Sequence, residues 1–504
     1  MCGIVGHFSA GPVNQQVYDS LLLLQHRGQD STGIATAEGR TLHQAKKSGQ
    51  VREAYRTRDM RELLGNIGLG HVRYATKGHA TNLDEAQPFY VNAPYGIVLV
   101  HNGNLTNTRE LTLEMRERDF RHLNSPSDTE LLLNVLASSL QDSVGVRHLD
   151  ADGIFDAVTQ VISRIRGAYG TIALIAGHGL LAFRDPMGIR PLVLGRRDVA
   201  PETAEAAAGY RGVHGLPATL PESEWVVASE SLVLEAGNYE VVRELAPGEA
   251  VFIDEAGTLH SRQCAEETRL VPCAFEYVYL ARPDSVMNGI SIYESRLRMG
   301  EKLAETIQRE IPDEDFDIVM PIPDSARPAA LQVAHSLGKE YREGFYKNRY
   351  VGRTFIMPGQ AVRQKSVRQK LNAMRSEFEG KKVLIIDDSI VRGTTSRQIV
   401  EMAYQAGAVK VSFASAAPPV RYPHVYGINM PNAEELVAHG RTVEEIRDVL
   451  GSDHLVYLGV EDMAEAIMAG SDWDGLEMSC FTGDYVTGDV TEEYLEFVAG
   501  DQES

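Results

Sequence analysis

Cysteine is scarce in this chain. Four occur in 504 residues, at Cys2, Cys264, Cys273 and Cys480. That is too few for a disulfide framework, so a reducing, cytoplasmic setting is expected. Long apolar runs are missing too: no stretch of about 18 apolar residues occurs, and no membrane span is expected. The first residues lack the basic segment and apolar stretch of a secretory signal. Positive charge is in short supply. The 49 Lys and Arg face 70 Asp and Glu, a net charge of −21. Such a surface repels phosphate backbones, which argues against general nucleic-acid binding. Internal repeats and low-complexity segments are also absent.

What is present is ordinary for a globular protein: 43% apolar and 24% charged residues. The length suggests two or three domains. The charge is uneven, however. Residues 342–375 hold nine Lys or Arg against one Glu, while the segment from 471 onward holds ten Asp or Glu and no Lys or Arg. The acidic segment reads as a solvated face. The basic one reads as a local site for a polyanion.

Residues 3–9 alternate as a strand does, and Val17, Leu21 and Leu24 follow at helical spacing. Up to about 255, short apolar runs split by glycine, such as "YGIVLVHNGNL" and "YGTIALIAGHG", predict a strand-rich half. The Ala-, Pro- and Glu-rich stretch 201–222 reads as a surface insertion, and 261–273 as a domain junction. The second half changes character. "DIVMPIPDS" and "KKVLIIDDSIVRGTTS" each read as buried strand, polar loop, then helix, and "VKVSFASAAP" is a further strand. This alternation implies a mainly parallel sheet with ligands at the carboxyl ends of its strands.

In "VLIIDDSIVRGTTS" a buried strand delivers Asp387 and Asp388. Gly393, Thr394 and Thr395 then open a helix. Free N–H groups at a helix start, beside a glycine, cradle phosphate. Adjacent carboxylates hold ribose hydroxyls or organise a hard cation such as Mg2+. An acidic strand-end turn before a capped helix is the plainer alternative, but it does not account for the ordered set. The stretch resembles the binding motif of type I phosphoribosyltransferases. The resemblance implies phosphoribosyl pyrophosphate as donor, with Gly393–Thr395 on its 5-phosphate and Asp387 and Asp388 facing the ribose. Ser389 and Arg392 are included in that donor site. It further implies that Ser325, in "PDS", sits with the two aspartates near Mg2+, one ion per subunit. Lys347, Arg349 and Arg353 are implied to belong to a basic loop that closes over the donor.

The first half offers what a glutamine-hydrolysing site needs: a nucleophile, a cation, an anion and paired donors. Cys2 is the nucleophile candidate. Arg73 in "GHVRYATKG" suits the α-carboxylate of glutamine, and Asp128 in "SPSDTE" its ammonium. Asn102 and Gly103 in "HNGNL" are the paired donors. Singly, each has a structural alternative: a surface ion pair, a helix cap, a hairpin turn. Together, and with "HRGQDSTG" at 26–33, they resemble the class II, N-terminal-nucleophile amidotransferases. That resemblance implies removal of Met1, with the freed amine of Cys2 as base for its own thiol. No propeptide is expected, since Cys2 follows the initiator directly.

A glutaminase followed by a phosphoribosyltransferase resembles the amidophosphoribosyltransferase family. "FEYVYLARPDS" at 275–285 and "KNRYVGRTFIMPGQ" at 347–360 add to the likeness. The implied fold is α/β and multi-domain. Residues 2–260 would form an N-terminal-nucleophile αββα sandwich. Residues 261–504 would form a type I phosphoribosyltransferase α/β domain with a parallel sheet and a C-terminal acidic segment. The implied reaction moves ammonia from glutamine to phosphoribosyl pyrophosphate, giving 5-phosphoribosylamine, glutamate and pyrophosphate. Inhibition by purine nucleotides of the AMP and GMP type and a homotetramer are implied as well, with no nucleic-acid or membrane partner. Some relatives carry a 4Fe–4S cluster. Cys273 and Cys480 resemble two of its ligand positions, but the others are lost near "YPHVYG" and at Glu477, so no iron–sulfur cluster is expected. Two rival groups share part of this plan. Glucosamine-phosphate synthases and asparagine synthetases lack the phosphoribosyltransferase motif. Purine-sensing regulators would leave the glutaminase set unexplained.

Overall fold

Side chains alternate across the strand Gly3–Phe8, which is buried throughout: Ile4 faces one apolar core and Val5 another. The strand must therefore lie inside a sheet that is covered on both sides. The computed structural model describes residues 2–74, 83–144, 149–213, 219–313, 315–348, 371–428, 430 and 432–500. It places this strand between Ser223–Ala228 and Ile67–Arg73, antiparallel to both, in a seven-stranded sheet. A second, six-stranded antiparallel sheet contains Ile97–Leu105 and Gly167–Ile175.

The two sheets pack face to face. Ile4, Phe8 and Leu69 of the first meet Val100, Ile172 and Val251 of the second. Helix Asn14–Leu23 covers the outer face of the first sheet through Val17 and Leu21. Helices Asp128–Val144 and Ala151–Arg164 cover that of the second through Leu132, Leu136 and Val158. The result is the expected αββα sandwich. Its last strand, Leu259–Gln263, pairs with Glu249–Asp254, so the sheet continues three residues past the expected boundary at 260.

The second half builds a five-stranded parallel sheet in the order Glu340–Tyr341, Ile318–Pro321, Lys382–Asp387, Lys410–Ser415, His454–Tyr457. Its strands are apolar on both faces, as parallel strands covered by helices must be. Leu384 and Ile386 pack toward the helix Ile292–Glu310, while Val383 and Ile385 pack toward Thr394–Gln405. The loops after Pro321 and Asp387 emerge together at the carboxyl end of this sheet.

Two expectations change. The stretch read as a surface insertion contains the helix Pro201–Val213. It is anchored by the Tyr210 hydroxyl, which accepts the Gly65 N–H at 2.8 Å, and by a buried Arg211. The acidic segment is not simply a solvated face. Glu477 is buried at 1% exposure, and Asp489 accepts from the Thr106 hydroxyl at 2.6 Å. Charge composition alone could not reveal which carboxylates find partners across the fold.

Asp185 shows how a buried carboxylate can fix a loop. It accepts the N–H groups of Met187 (3.1 Å), Ile189 (2.9 Å), Arg190 (3.0 Å) and Tyr169 (3.3 Å). Burial pushes its carboxyl above the usual range, against the pull of these donors. Asp185→Ala strands four donors, three of them on buried residues. It should lower stability by at least about 3 kcal/mol, read as a fall in urea midpoint. An unchanged midpoint would show that the loop holds without its carboxylate.

Candidate active sites

The first site forms where strand ends converge. Gly3 pairs with Val72, so Cys2 and Arg73 continue side by side at the edge of that pairing. Asn102 arrives on the adjoining sheet, opposite Gly170. The Cys2 backbone nitrogen lies 3.4 Å from Asn102 Oδ1, and Cys2 Sγ lies 4.0 Å from the Tyr74 carbonyl. Asn102 is fully buried, and its Nδ2 donates to nothing among the described residues. A buried amide left without an acceptor is costly unless a ligand supplies one. Gly103 adopts φ +155°, and a Cβ there would lie 1.9 Å from the Ala168 carbonyl oxygen.

Arg73 is buried and donates through Nη2 to Glu85 at 2.5 Å. Asp128 opens its helix, accepts from the Leu105 N–H at 3.2 Å and lies 3.7 Å from His101 Nδ1. Beneath them, burial holds the imidazoles of His71 and His101 below their usual range, with Arg73 adding to the effect at His71. The five residues expected for glutamine are thus brought to one place.

The second site sits at the end of the parallel sheet. The Ser325 hydroxyl is hydrogen-bonded to Asp388 Oδ2, and the Ser389 hydroxyl donates to Asp388 Oδ1 at 2.8 Å. The Asp388 N–H donates to Asp387 Oδ1 at 3.0 Å. Burial, and then the neighbouring Asp388, pushes the Asp387 carboxyl well above its usual range; burial likewise raises Asp388. Two carboxylates that resist ionising together suit a divalent cation, which removes the mutual repulsion. Gly393, at φ +71°, turns the chain into the helix, leaving Thr394 and Thr395 exposed at its first turn. Arg392 pairs with Glu435 at 3.0 Å, and Lys347 with Asp324 at 2.8 Å. Arg349 and Arg353 lie outside the described residues.

Cys273, His424 and Glu477 gather in the interior, each offering one donor atom within 4.8 Å of the others. Cys273 Sγ is 3.4 Å from His424 Nε2, which is 2.9 Å from Glu477 Oε2. These atoms do not fit a 4Fe–4S cluster. Two of the four thiolates are replaced, and the donors touch one another where a cluster would need room. A single ion fits poorly too. The Tyr426 N–H donates to His424 Nδ1 at 3.2 Å, which places the ring proton on Nε2, against Glu477. We read the group as a hydrogen-bonded brace between the domain junction and the acidic segment.

Residues that sequence reasoning left without a role also reach the first site. Arg27 Nε donates to the Cys2 carbonyl at 3.1 Å, and its two remaining nitrogens meet Glu230 and Glu276. The signal was available. "FEYVYLA" sets one carboxylate in an otherwise apolar run, which calls for a buried cation.

The two domains also interlock. Asn104 Nδ2 donates to the Val425 carbonyl at 2.8 Å, and a Cβ on Gly427 would lie 2.7 Å from the Gly103 backbone.

Fold and sites together define a glutamine amidotransferase joined to a phosphoribosyltransferase. Residues 71–204 match the glutamine amidotransferase domain family, and residues 290–422 the phosphoribosyl transferase domain family. An amidophosphoribosyltransferase of Pseudomonas aeruginosa is 52% identical over 496 residues, covering 98% of this chain and 95% of that protein. One of Saccharomyces cerevisiae is 46% identical over 511 residues, covering 100% and 96%. Among solved structures, the glutamine phosphoribosylpyrophosphate amidotransferase from B. subtilis, complexed with ADP and GMP, superposes with a TM-score of 0.81 at 33% identity. That match covers 98% of this chain and 100% of the other. The chain belongs to the amidophosphoribosyltransferase family. Its reaction transfers ammonia from glutamine to phosphoribosyl pyrophosphate, giving 5-phosphoribosylamine, glutamate and pyrophosphate, the first step of de novo purine synthesis.

Gly103→Ala would press a methyl group into the Ala168 carbonyl and displace the Gly103 N–H, expected from the sequence to be an oxyanion donor. Glutamine-dependent turnover should fall by about 100-fold or more, while turnover with added ammonia persists. Parallel assays with the two nitrogen sources check this; an equal fall in both would remove Gly103 from the glutaminase site.

Proposed function

We propose that Cys2 is the nucleophile that attacks the amide carbon of glutamine, after loss of Met1 frees its α-amine to serve as base. The amine takes the thiol proton as sulfur bonds to carbon, and delivers a proton to the departing ammonia. Asn102 Nδ2 and the Gly103 N–H receive the negative charge that develops on the amide oxygen. Arg73 holds the α-carboxylate and Asp128 the α-ammonium of the substrate. Water then releases glutamate from the thioester. The observation that carries this reading is the buried Asn102 Nδ2 beside Cys2, without a partner among the described residues.

The ammonia attacks the ribosyl carbon of phosphoribosyl pyrophosphate in the second site. Gly393, Thr394 and Thr395 hold the 5-phosphate, with Ser389 and Arg392 beside them. Asp387 and Asp388 face the ribose. Together with Ser325 they would hold one Mg2+ per subunit, which neutralises the pyrophosphate as it leaves. Lys347, Arg349 and Arg353 close over the donor and keep water away. Lys347 must first leave Asp324, a half-exposed pair that is cheap to break. Positioning and electrostatics carry this step. The enzyme works in the cytoplasm as a homotetramer and is inhibited by purine nucleotides of the AMP and GMP type. Support for the last point comes from the relative crystallised with ADP and GMP. Among the described residues no helix is long and apolar enough to cross a membrane.

Cys2→Ala should abolish glutamate release from glutamine and leave ammonia-dependent pyrophosphate release intact. Persisting glutamate release would remove Cys2 as the nucleophile. Loss of pyrophosphate release with both nitrogen sources would show that the substitution damages the second site as well.

A further inference from the structure

Charged side chains are rarely fully buried unless they are paired. Four lie together here: Arg27 (3% exposed), Arg190 (0%), Glu230 (0%) and Glu276 (1%). Arg27 spends all three of its guanidinium nitrogens. Nη1 meets Glu230 Oε1, Nη2 meets Glu276 Oε1 at 2.6 Å, and Nε meets the Cys2 carbonyl at 3.1 Å. Arg190 donates to the same Glu276 oxygen. Glu230 is tied on its other side, where Oε2 accepts from the Arg282 N–H at 3.1 Å and the Ser285 hydroxyl at 2.7 Å. Although burial works to raise it, Arg27 and His26 hold the Glu230 carboxyl well below its usual range.

Glu276 also begins a π-helical turn, Glu276–Leu280. The buried Arg296, on the helix Ile292–Glu310 of the same half of the chain, clamps that turn. Its Nε donates to the Tyr277 carbonyl at 2.9 Å and its Nη2 to the Ala281 carbonyl at 2.8 Å. Burial brings the Arg296 guanidinium down to about 10, still a cation at neutral pH, with Asp388 foremost among the carboxylates pulling it up. Hydrogen bonds and one peptide link therefore run unbroken from the helix under the phosphoribosyl site to the carbonyl of Cys2.

A guanidinium is a rigid planar fork. One carboxylate on Nη1 leaves it free to tilt about that contact. A second carboxylate on Nη2 fixes its plane, and with it the direction of the Nε–H. We propose that Glu276 is a positioning residue for Cys2. It holds Arg27 at the angle that fixes the Cys2 carbonyl and so aims the thiol and the amine on either side of it. It touches no substrate. The inference rests on the reading of Cys2 as nucleophile.

The test uses the full-length enzyme with Mg2+ and phosphoribosyl pyrophosphate. It compares Glu276→Gln and Glu276→Asp with the parent, for glutamine and for ammonia as nitrogen source. Glu276→Gln keeps the shape and removes the charge that orients Arg27. Its kcat with glutamine should drop by about 10-fold or more, since small misplacements at a reacting centre are costly. KM for glutamine and the ammonia-dependent rate should stay at parent values. Inactivation of Cys2 by a diazoketone analogue of glutamine should slow in parallel. Glu276→Asp, which restores the charge on a shorter arm, should recover part of the loss. Should Glu276→Gln fail to fold, Glu276→Asp alone decides the matter: it must lower the glutamine rate relative to the ammonia rate. An unchanged ratio of the two rates in a folded variant overturns the proposal, and so does an equal fall in both. Cys2→Ala run alongside separates the two readings. If that variant still hydrolyses glutamine, the assignment of Cys2 has failed, whatever Glu276 does.

Discussion

Two arginines and two glutamates can share a dry interior only if they neutralise one another there. Arg27, Arg190, Glu230 and Glu276 meet that condition, two charges of each sign in mutual contact. Removing charges from water costs several kcal/mol each, and the attraction between them recovers this only when the geometry is good. Such a cluster adds little net stability. It adds intolerance of error, because any domain arrangement that separates the four leaves a bare charge in the core. Arg27 and Arg190 come from the sandwich, and Glu276 from the segment that leads into the parallel sheet. The ion cluster thereby adds an electrostatic constraint to the apolar contacts, such as those of Ala168 and Ile189, that the two halves share. Asp185 contributes at one remove, since the loop it pins carries Arg190.

The two sites hold their unmet polar requirements in opposite ways. The proposed glutaminase site holds a neutral donor, the Asn102 amide, without a partner among the described residues, and two imidazoles whose charging burial disfavours. Such a site attracts charge only as it develops, which favours the transition state over the resting amide. The phosphoribosyl site keeps acidic groups crowded together, so its attraction is for a cation and for what that cation carries. The division suits one substrate that must be polarised and another that arrives with its charge already present.

The strand-rich first half and the parallel sheet were legible because they rest on local signals, whereas the αββα order came from the family resemblance. Alternating short runs predict half the molecule, and strand–loop–helix repeats the other half. The residues proposed to touch substrate lie in compact motifs that the sequence displays: "HNGNL", "SPSDTE", "IIDDSIVRGTT". What escaped was everything whose meaning depends on a distant partner. Glu477 was legible only as the replacement for a cluster ligand; its partner, His424, lies 53 residues away. Arg211, in a stretch taken for a surface insertion, is buried. Arg27 lay within a segment recognised as familiar, yet its two carboxylates are more than 200 residues away, Glu230 by 203 and Glu276 by 249. Long-range ion pairs leave no spacing to read.

The same long reach bears on the order in which the molecule can be finished. The strand that carries Asn102 and Gly103 ends in Asn104 and Leu105, followed by Thr106. Asn104 is hydrogen-bonded to Tyr494, 390 residues later, and Thr106 to Asp489, 383 residues later. A ribosome adding about 5–20 residues per second needs on the order of half a minute to cover that interval. During that time the strand can pair with both its neighbours in the sandwich, but Asn104 and Thr106 at its end lack these two partners. The part of the enzyme that cleaves glutamine is made first and completed last. The contacts that close this end of the sandwich are therefore among the last that a growing chain can form.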